Sequence, residues 1–92
     1  MFDPLLHQTV RSRLVSLLIN NDELPFKALK EALDVTDGNL SSHLSKLEKE
    51  EYVFIEKKFE GKRPKTVIYI TQKGRDKFAL YIEALKKFIE EN

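Results

Sequence analysis

Two stretches of the chain carry side chains able to act on a partner, and both offer hydrogen bonds and charge. The first is Thr36-Asp37-Gly38-Asn39-Leu40-Ser41-Ser42-His43-Leu44-Ser45-Lys46. At helical spacing Leu40, Leu44 and Leu47 share one side, while Gly38, Asn39, Ser42, Ser45, Lys46 and Lys49 share the other. Small polar residues let a helix lie close to stacked bases. Asparagine pairs with adenine N6 and N7, serine bonds either base type, and lysine reaches guanine or phosphate. Asn39, Ser42 and Lys46 are therefore candidate base contacts, the alternative being an ordinary solvated helix face. Thr36 fits an N-cap, and Asp37 suits the positive end of the helix dipole. Free N–H groups at that end can meet a backbone phosphate, which Asp37 itself would repel. Ser41 and His43 flank the leucine stripe. His43 is placed equally to reach phosphate or base and to pack against the protein body.

The second stretch runs from Lys57 to Lys65 and holds five cations (Lys57, Lys58, Lys62, Arg63, Lys65) against one anion, Glu60. Residues 1–35 hold four cations and five anions, and the formal net charge of all 92 residues is +1. A near-neutral chain with one basic loop reads as a protein with one anionic contact surface. Arg63 suits a minor groove and the lysines suit phosphates. Phe59 fits either the base or the tip of this loop.

Other chemistries find little support. The chain has no cysteine, which excludes disulfides, thiolate zinc sites and thiol nucleophiles. His7 and His43 lie on different segments without a clustered acidic partner, so no metal site is expected and His7 reads as structural. Neither a glycine-rich phosphate loop nor a serine nucleophile elbow is present. We expect no enzyme activity and no cofactor. The opening residues MFDPLLHQTVRSR lack a basic start followed by an apolar run, so no signal peptide is expected, and the composition suits a cytoplasmic protein.

The elements that must position these residues follow from periodicity. Leu5, Leu6, Val10, Leu14, Leu17, Leu18 and Ile19 predict a helix over 5–19, with Asp3 and Pro4 as cap and first position. Phe26, Leu29, Ala32 and Leu33 predict a short second helix opened by Pro25. The third runs from about 37 to 50. Tyr52-Val53-Phe54-Ile55 and Thr66-Val67-Ile68-Tyr69-Ile70 read as strands, so 52–70 forms a hairpin with a long basic tip over 56–65 around Gly61 and Pro64. Thr71 caps a last helix over about 72–90. The fold class is mainly α with a β-hairpin, and residues 1–92 form one domain.

Three blocks in this order resemble the winged-helix regulators related to the MarR and ArsR groups, in particular a compact winged-helix DNA-binding subgroup. They are Val35-Thr36-Asp37-Gly38-Asn39-Leu40-Ser41-Ser42-His43-Leu44 continuing through Leu47-Glu48 to Tyr52-Val53; Lys57-Lys58-Phe59-Glu60-Gly61-Lys62-Arg63-Pro64-Lys65-Thr66; and Ile70-Thr71-Gln72-Lys73-Gly74-Arg75. Leu6-His7 with Arg11 and Leu14 resembles the family's opening helix. The resemblance spans about Leu6 to Leu85. It implies a winged helix-turn-helix in which Thr36, Asn39, Ser41, Ser42, His43 and Lys46 line the major-groove side and Lys62, Arg63 and Lys65 belong to the wing. Glu51 stands where the family often has glycine at a helix end.

The terminal helix carries Phe78, Tyr81, Ile82, Leu85, Phe88 and Ile89, more apolar surface than so small a body covers easily. A second copy would bury it together with Phe2, Leu5 and Leu6, the alternative being packing on the first helix of the same chain. The expectation is a homodimeric, site-specific regulator of transcription on palindromic duplex DNA, open to a small-molecule effector. A protein-interaction module or a non-specific nucleic-acid binder is the alternative.

Overall fold

The computed structural model describes residues 2–91. The order is α1 (Thr9–Asn21), β1 (Glu23–Pro25), α2 (Phe26–Leu33), α3 (Asp37–Lys49), β2 (Val53–Glu60), β3 (Arg63–Ile70) and α4 (Gln72–Glu91). The result is the expected mainly α fold with a hairpin, a winged helix-turn-helix followed by a long terminal helix.

The core is built of leucines that the helical period puts on facing sides. Leu14 and Leu18 of α1, Leu29 of α2, and Leu40 and Leu47 of α3 are fully buried with Leu6 and Ile68. Emptying one such site costs about 2–5 kcal/mol, because the transfer loss and the cavity add. The cluster fixes α2 against α3 and so sets which side of α3 stays open.

Helix α1 starts later than its apolar period predicts. Residues 3–7 make a separate turn, in which His7 N donates to the Asp3 carbonyl at 2.8 Å. Gln8 breaks the helical path at φ −147° and caps α1 by accepting from Arg11 N at 2.7 Å. Leu5 and Leu6 thus keep the spacing without belonging to the helix. Strand β1 was not expected, since three residues are too short to show a period. It pairs with β3 through Glu23 and Tyr69, Leu24 and Ile68, and Pro25 and Val67.

The wing also differs from expectation. The stretch 56–65 is no loose tip but a regular antiparallel ribbon, paired from Val53 and Ile70 out to Glu60 and Arg63. A two-residue turn of Gly61 and Lys62 closes it. Gly61 has φ 67°, the left-handed value that a type II′ turn needs in its first position and that glycine adopts freely. Pro64 lies beyond the end of β1, where one edge of β3 is open and a missing N–H is tolerated.

The corner between α3 and the ribbon is tightly tied. Tyr52 N donates to the Leu47 carbonyl and Glu51 N to the Glu48 carbonyl, both at 2.9 Å, which is a Schellman ending. The left-handed residue it requires is Glu51, at φ 62°. Thr71 then caps α4 by accepting from Gly74 N at 2.9 Å, and its hydroxyl donates to the carbonyls of Glu51 and Tyr52. Gly74 lies so close that a Cβ there would stand 2.2 Å from the Tyr52 oxygen and 2.9 Å from Ile70 Cδ1.

Two substitutions test this corner. Gly74→Ala should cost about 1–3 kcal/mol or more by overpacking. Glu51→Gly should raise stability by about 1 kcal/mol, because glycine takes a positive φ without the Cβ penalty. Urea denaturation of both variants reads the two shifts, which must have opposite signs.

Candidate nucleic-acid interface

The third helix is positioned by its buried side and leaves its polar side open. The Thr36 hydroxyl accepts from Asn39 N at 3.1 Å and caps α3, while Asp37 pairs with Lys30 of α2 at 2.8 Å across the helix-turn-helix. Thr36 is therefore committed to the cap. Asn39, Ser41, Ser42, Ser45 and Lys46 are exposed. Their side chains make no hydrogen bond or ion pair among the described residues. Ser45, on the polar side of the period, belongs with this set although the resemblance did not name it. At Gly38 a Cβ would meet nothing within 4 Å, so the first turn of α3 offers a bare, open surface.

The wing stands beside this face. Ser41, Leu44 and Ser45 of α3 line a groove of about 320 Å³ with Phe26, Ile55, Lys57 and Thr66. Strand alternation puts Lys57 and Phe59 on the face of the ribbon shared with Ile55. Phe59 is 76 % exposed, which places it at the tip and not in the hairpin base. Lys58 and Lys65 are cross-strand partners on the opposite face. Like charges directly opposite repel, and here each is held by a carboxylate: Lys58 by Glu56 at 3.2 Å and Lys65 by Glu60 at 3.0 Å. Lys58 also lies over the Tyr69 ring, which stacks on Phe54. Lys57, Lys62 and Arg63 have no ion pair among the described residues. The five wing cations thus divide into two that are internally compensated and three that are not.

His43 sits on the flank of α3, half-buried. Its Nδ1 lies 3.1 Å from Arg11 Nη1, and Arg11 Nε donates to the Leu5 carbonyl at 2.7 Å. Burial, the Arg11 charge and then the Lys46 charge push its pKa below the ordinary histidine value. His7 has a structural setting: its ring stacks on Phe2 and its Nδ1 lies 3.0 Å from the Tyr81 hydroxyl.

The apolar residues expected at a dimer interface separate into two groups. Leu6 is sealed within its own chain and Tyr81 is only 8 % exposed, so neither offers surface to a partner. The alternative of packing within the chain is realised for them. Phe2, Leu5, Phe78, Ile82 and Leu85 are half-covered, whereas Phe88 at 55 % and Ile89 at 69 % are exposed. Leu80, 64 % exposed, lies off the main stripe, half a turn around α4 from Ile89. Between the amino-terminal turn, the end of α3 and α4 lies an open cavity of about 660 Å³, whose lining includes Phe2, Tyr52, Lys46, Lys49, Lys77 and Leu80.

Comparison with known proteins agrees with this geometry. A family described as winged helix DNA-binding domain matches residues 10–89. An uncharacterised protein of Methanocaldococcus jannaschii is 43 % identical over 76 residues, 83 % of each chain. A solved transcriptional regulator homologue from Pyrococcus horikoshii OT3 is 32 % identical with a TM-score of 0.89, covering 95 % of this chain and 86 % of that one. FabT of Streptococcus pneumoniae, solved in complex with DNA, is 20 % identical with a TM-score of 0.65 over 86 % of this chain and 55 % of its own, a likeness of fold.

The His43 environment makes a titration prediction. Arg11→Met should raise the His43 pKa part of the way toward 6.5, leaving the larger effect of burial in place. A depressed folded-state pKa means that the unfolded chain binds the proton more readily. The associated stability is therefore present above about pH 6.5 and declines as pH falls through the folded value. NMR titration of the His43 ring in both proteins reads the shift. An unchanged pKa in the variant would contradict the assigned coulombic role of Arg11.

Proposed function

Because the chain belongs to the winged helix DNA-binding domain family, we propose that it is a cytoplasmic transcriptional regulator that binds a palindromic duplex site as a homodimer. The observation that carries this reading is the uncommitted polar face of α3 beside a groove shared with the wing. In the proposed complex α3 enters the major groove. Asn39 and Ser42 meet base edges, Ser41, Ser45 and Lys46 flank them, and the wing follows the adjacent backbone. Lys57, Lys62 and Arg63 supply the charge, since Lys58 and Lys65 already have carboxylate partners.

One α3 reads too few bases to define a site. A second copy joined through α4 doubles the footprint, with half-sites about one helical turn apart. Ile89 and the half-covered Phe78, Ile82 and Leu85, on one side of α4, form the proposed contact, with Phe2 and Leu5 beside it. Burying about 500 Å² of apolar surface per subunit gives on the order of 12 kcal/mol gross, much of it offset by the cost of association. An effector seated in the cavity lined by Lys46, Lys49 and Tyr52 would touch α3 directly and alter its presentation to DNA.

Selection from a random duplex pool, followed by a salt titration of the winning site, tests the reading. A recovered palindrome bound far more tightly than random duplex is expected; a ratio near one excludes a site-specific regulator, and no binding at low salt favours a protein-interaction module. Each of Lys57→Ala, Lys62→Ala and Arg63→Ala removes one cation per subunit, two per dimer, and should lower the salt slope by about 1.8. Lys58→Ala should lower it less. Sedimentation of wild type and of Ile89→Glu tests the dimer: the variant should be monomeric and bind the palindrome at least about tenfold more weakly.

A further inference from the structure

We propose that Arg11 is a positioning residue that locks His43 in the Nε2–H tautomer, so that His43 meets DNA as a neutral, single hydrogen-bond donor. The inference rests on the reading of α3 as the DNA-contacting helix and assigns a role to two side chains on different elements.

A guanidinium has five N–H donors and no acceptor. The 3.1 Å approach of Arg11 Nη1 to His43 Nδ1 is a hydrogen bond only if Nδ1 is unprotonated. A neutral imidazole then carries its proton on Nε2. Among the described residues Nε2 has no partner, and it is not buried. On the helix surface His43 lies four residues from Asn39 and three from Lys46, both exposed. The proton on Nε2 is therefore open to solvent, on a residue one helical turn from the candidate base contacts. A phosphate oxygen, guanine O6 or N7, adenine N7 or thymine O4 accepts such a donor.

Arg11 is itself held in place. Its Nε donates to the Leu5 carbonyl at 2.7 Å, and its backbone N–H is capped by Gln8. The turn that carries Leu5 is tied in turn by Asp3, which accepts from the Tyr52 hydroxyl at 2.5 Å and from Leu5 N at 2.9 Å. One side chain thus links the amino-terminal turn to the reading face of α3. The charged groups that act on the ring, Arg11 from α1 and Lys46 from α3, both oppose an imidazolium. This keeps the donor neutral at physiological pH.

Nitrogen-15 NMR of the free protein at pH 7.5 should show His43 as the Nε2–H tautomer, and Arg11→Met should give a mixture of tautomers. On the palindrome recovered by selection, His43→Phe, which lacks both acceptor and donor, should weaken binding by about 10- to 100-fold, one hydrogen bond being lost in each subunit. His43→Gln, whose amide can accept from Arg11 and donate outward, should restore most of that affinity. Thermal melts of each variant check that it is folded before its affinity is read. A protonated Nδ1 in the wild type overturns the proposal, as does equal binding by His43→Phe. Failure of the wild type to bind any duplex is a separate result that overturns the DNA reading and the His43 contact with it.

Discussion

The backbone of Tyr52 holds together the surfaces that this protein presents. Its N–H closes α3, its carbonyl receives Thr71, and its hydroxyl reaches back to Asp3. Gly74 at the start of α4 packs against the same carbonyl with no room for a Cβ. Three directions are fixed at this one corner: that of α3, that of the ribbon leaving at Val53, and that of α4. The demand is steep enough that Glu51 accepts a left-handed backbone for it. A residue other than glycine persists there because both hydrogen bonds of the Schellman ending depend on that conformation. The leucine core sets which side of α3 stays open, and the corner fixes its direction. In the proposed complex DNA recognition depends on both.

What was legible in the sequence was whatever a long period records. The leucine stripe of α3 and the aromatic and β-branched strand bases had enough residues to show 3.6- and 2-residue repeats, and Thr71 marked the start of α4 by type alone. The start of α1 was not legible, because Leu5 and Leu6 continue the helical spacing while a single extended residue, Gln8, breaks the path. The outer wing was hidden for a different reason. Its side chains are nearly all charged and exposed on both faces, so the ribbon has no apolar alternation to display. Its pairing is held by backbone bonds, the turn at Gly61 and the diagonal cross-strand pair of Lys65 with Glu60. For the candidate site, residue types located the face of α3, but its partners lie far away in sequence. Nothing near His43 announces Arg11, which stands 32 residues earlier.

Charge is the point at which fold and function constrain each other. A ribbon of Lys57 to Lys65 with all its cations bare would repel itself across the strands, most strongly at Lys58 and Lys65, which face each other. Glu56 and Glu60 relieve that repulsion, and in doing so withdraw two cations from any partner. The wing can therefore be a regular, stiff element only by giving up part of its attraction for phosphate. What it keeps is three cations without carboxylate partners among the described residues, at the turn and on the α3 side. A chain with net charge +1 then has little long-range attraction with which to hold a duplex, and must rely on where its few charges stand relative to the polar face of α3. That weakness of a single copy is the physical argument for the proposed second one: two weak faces joined through α4 would gain by effective concentration what neither gains by charge.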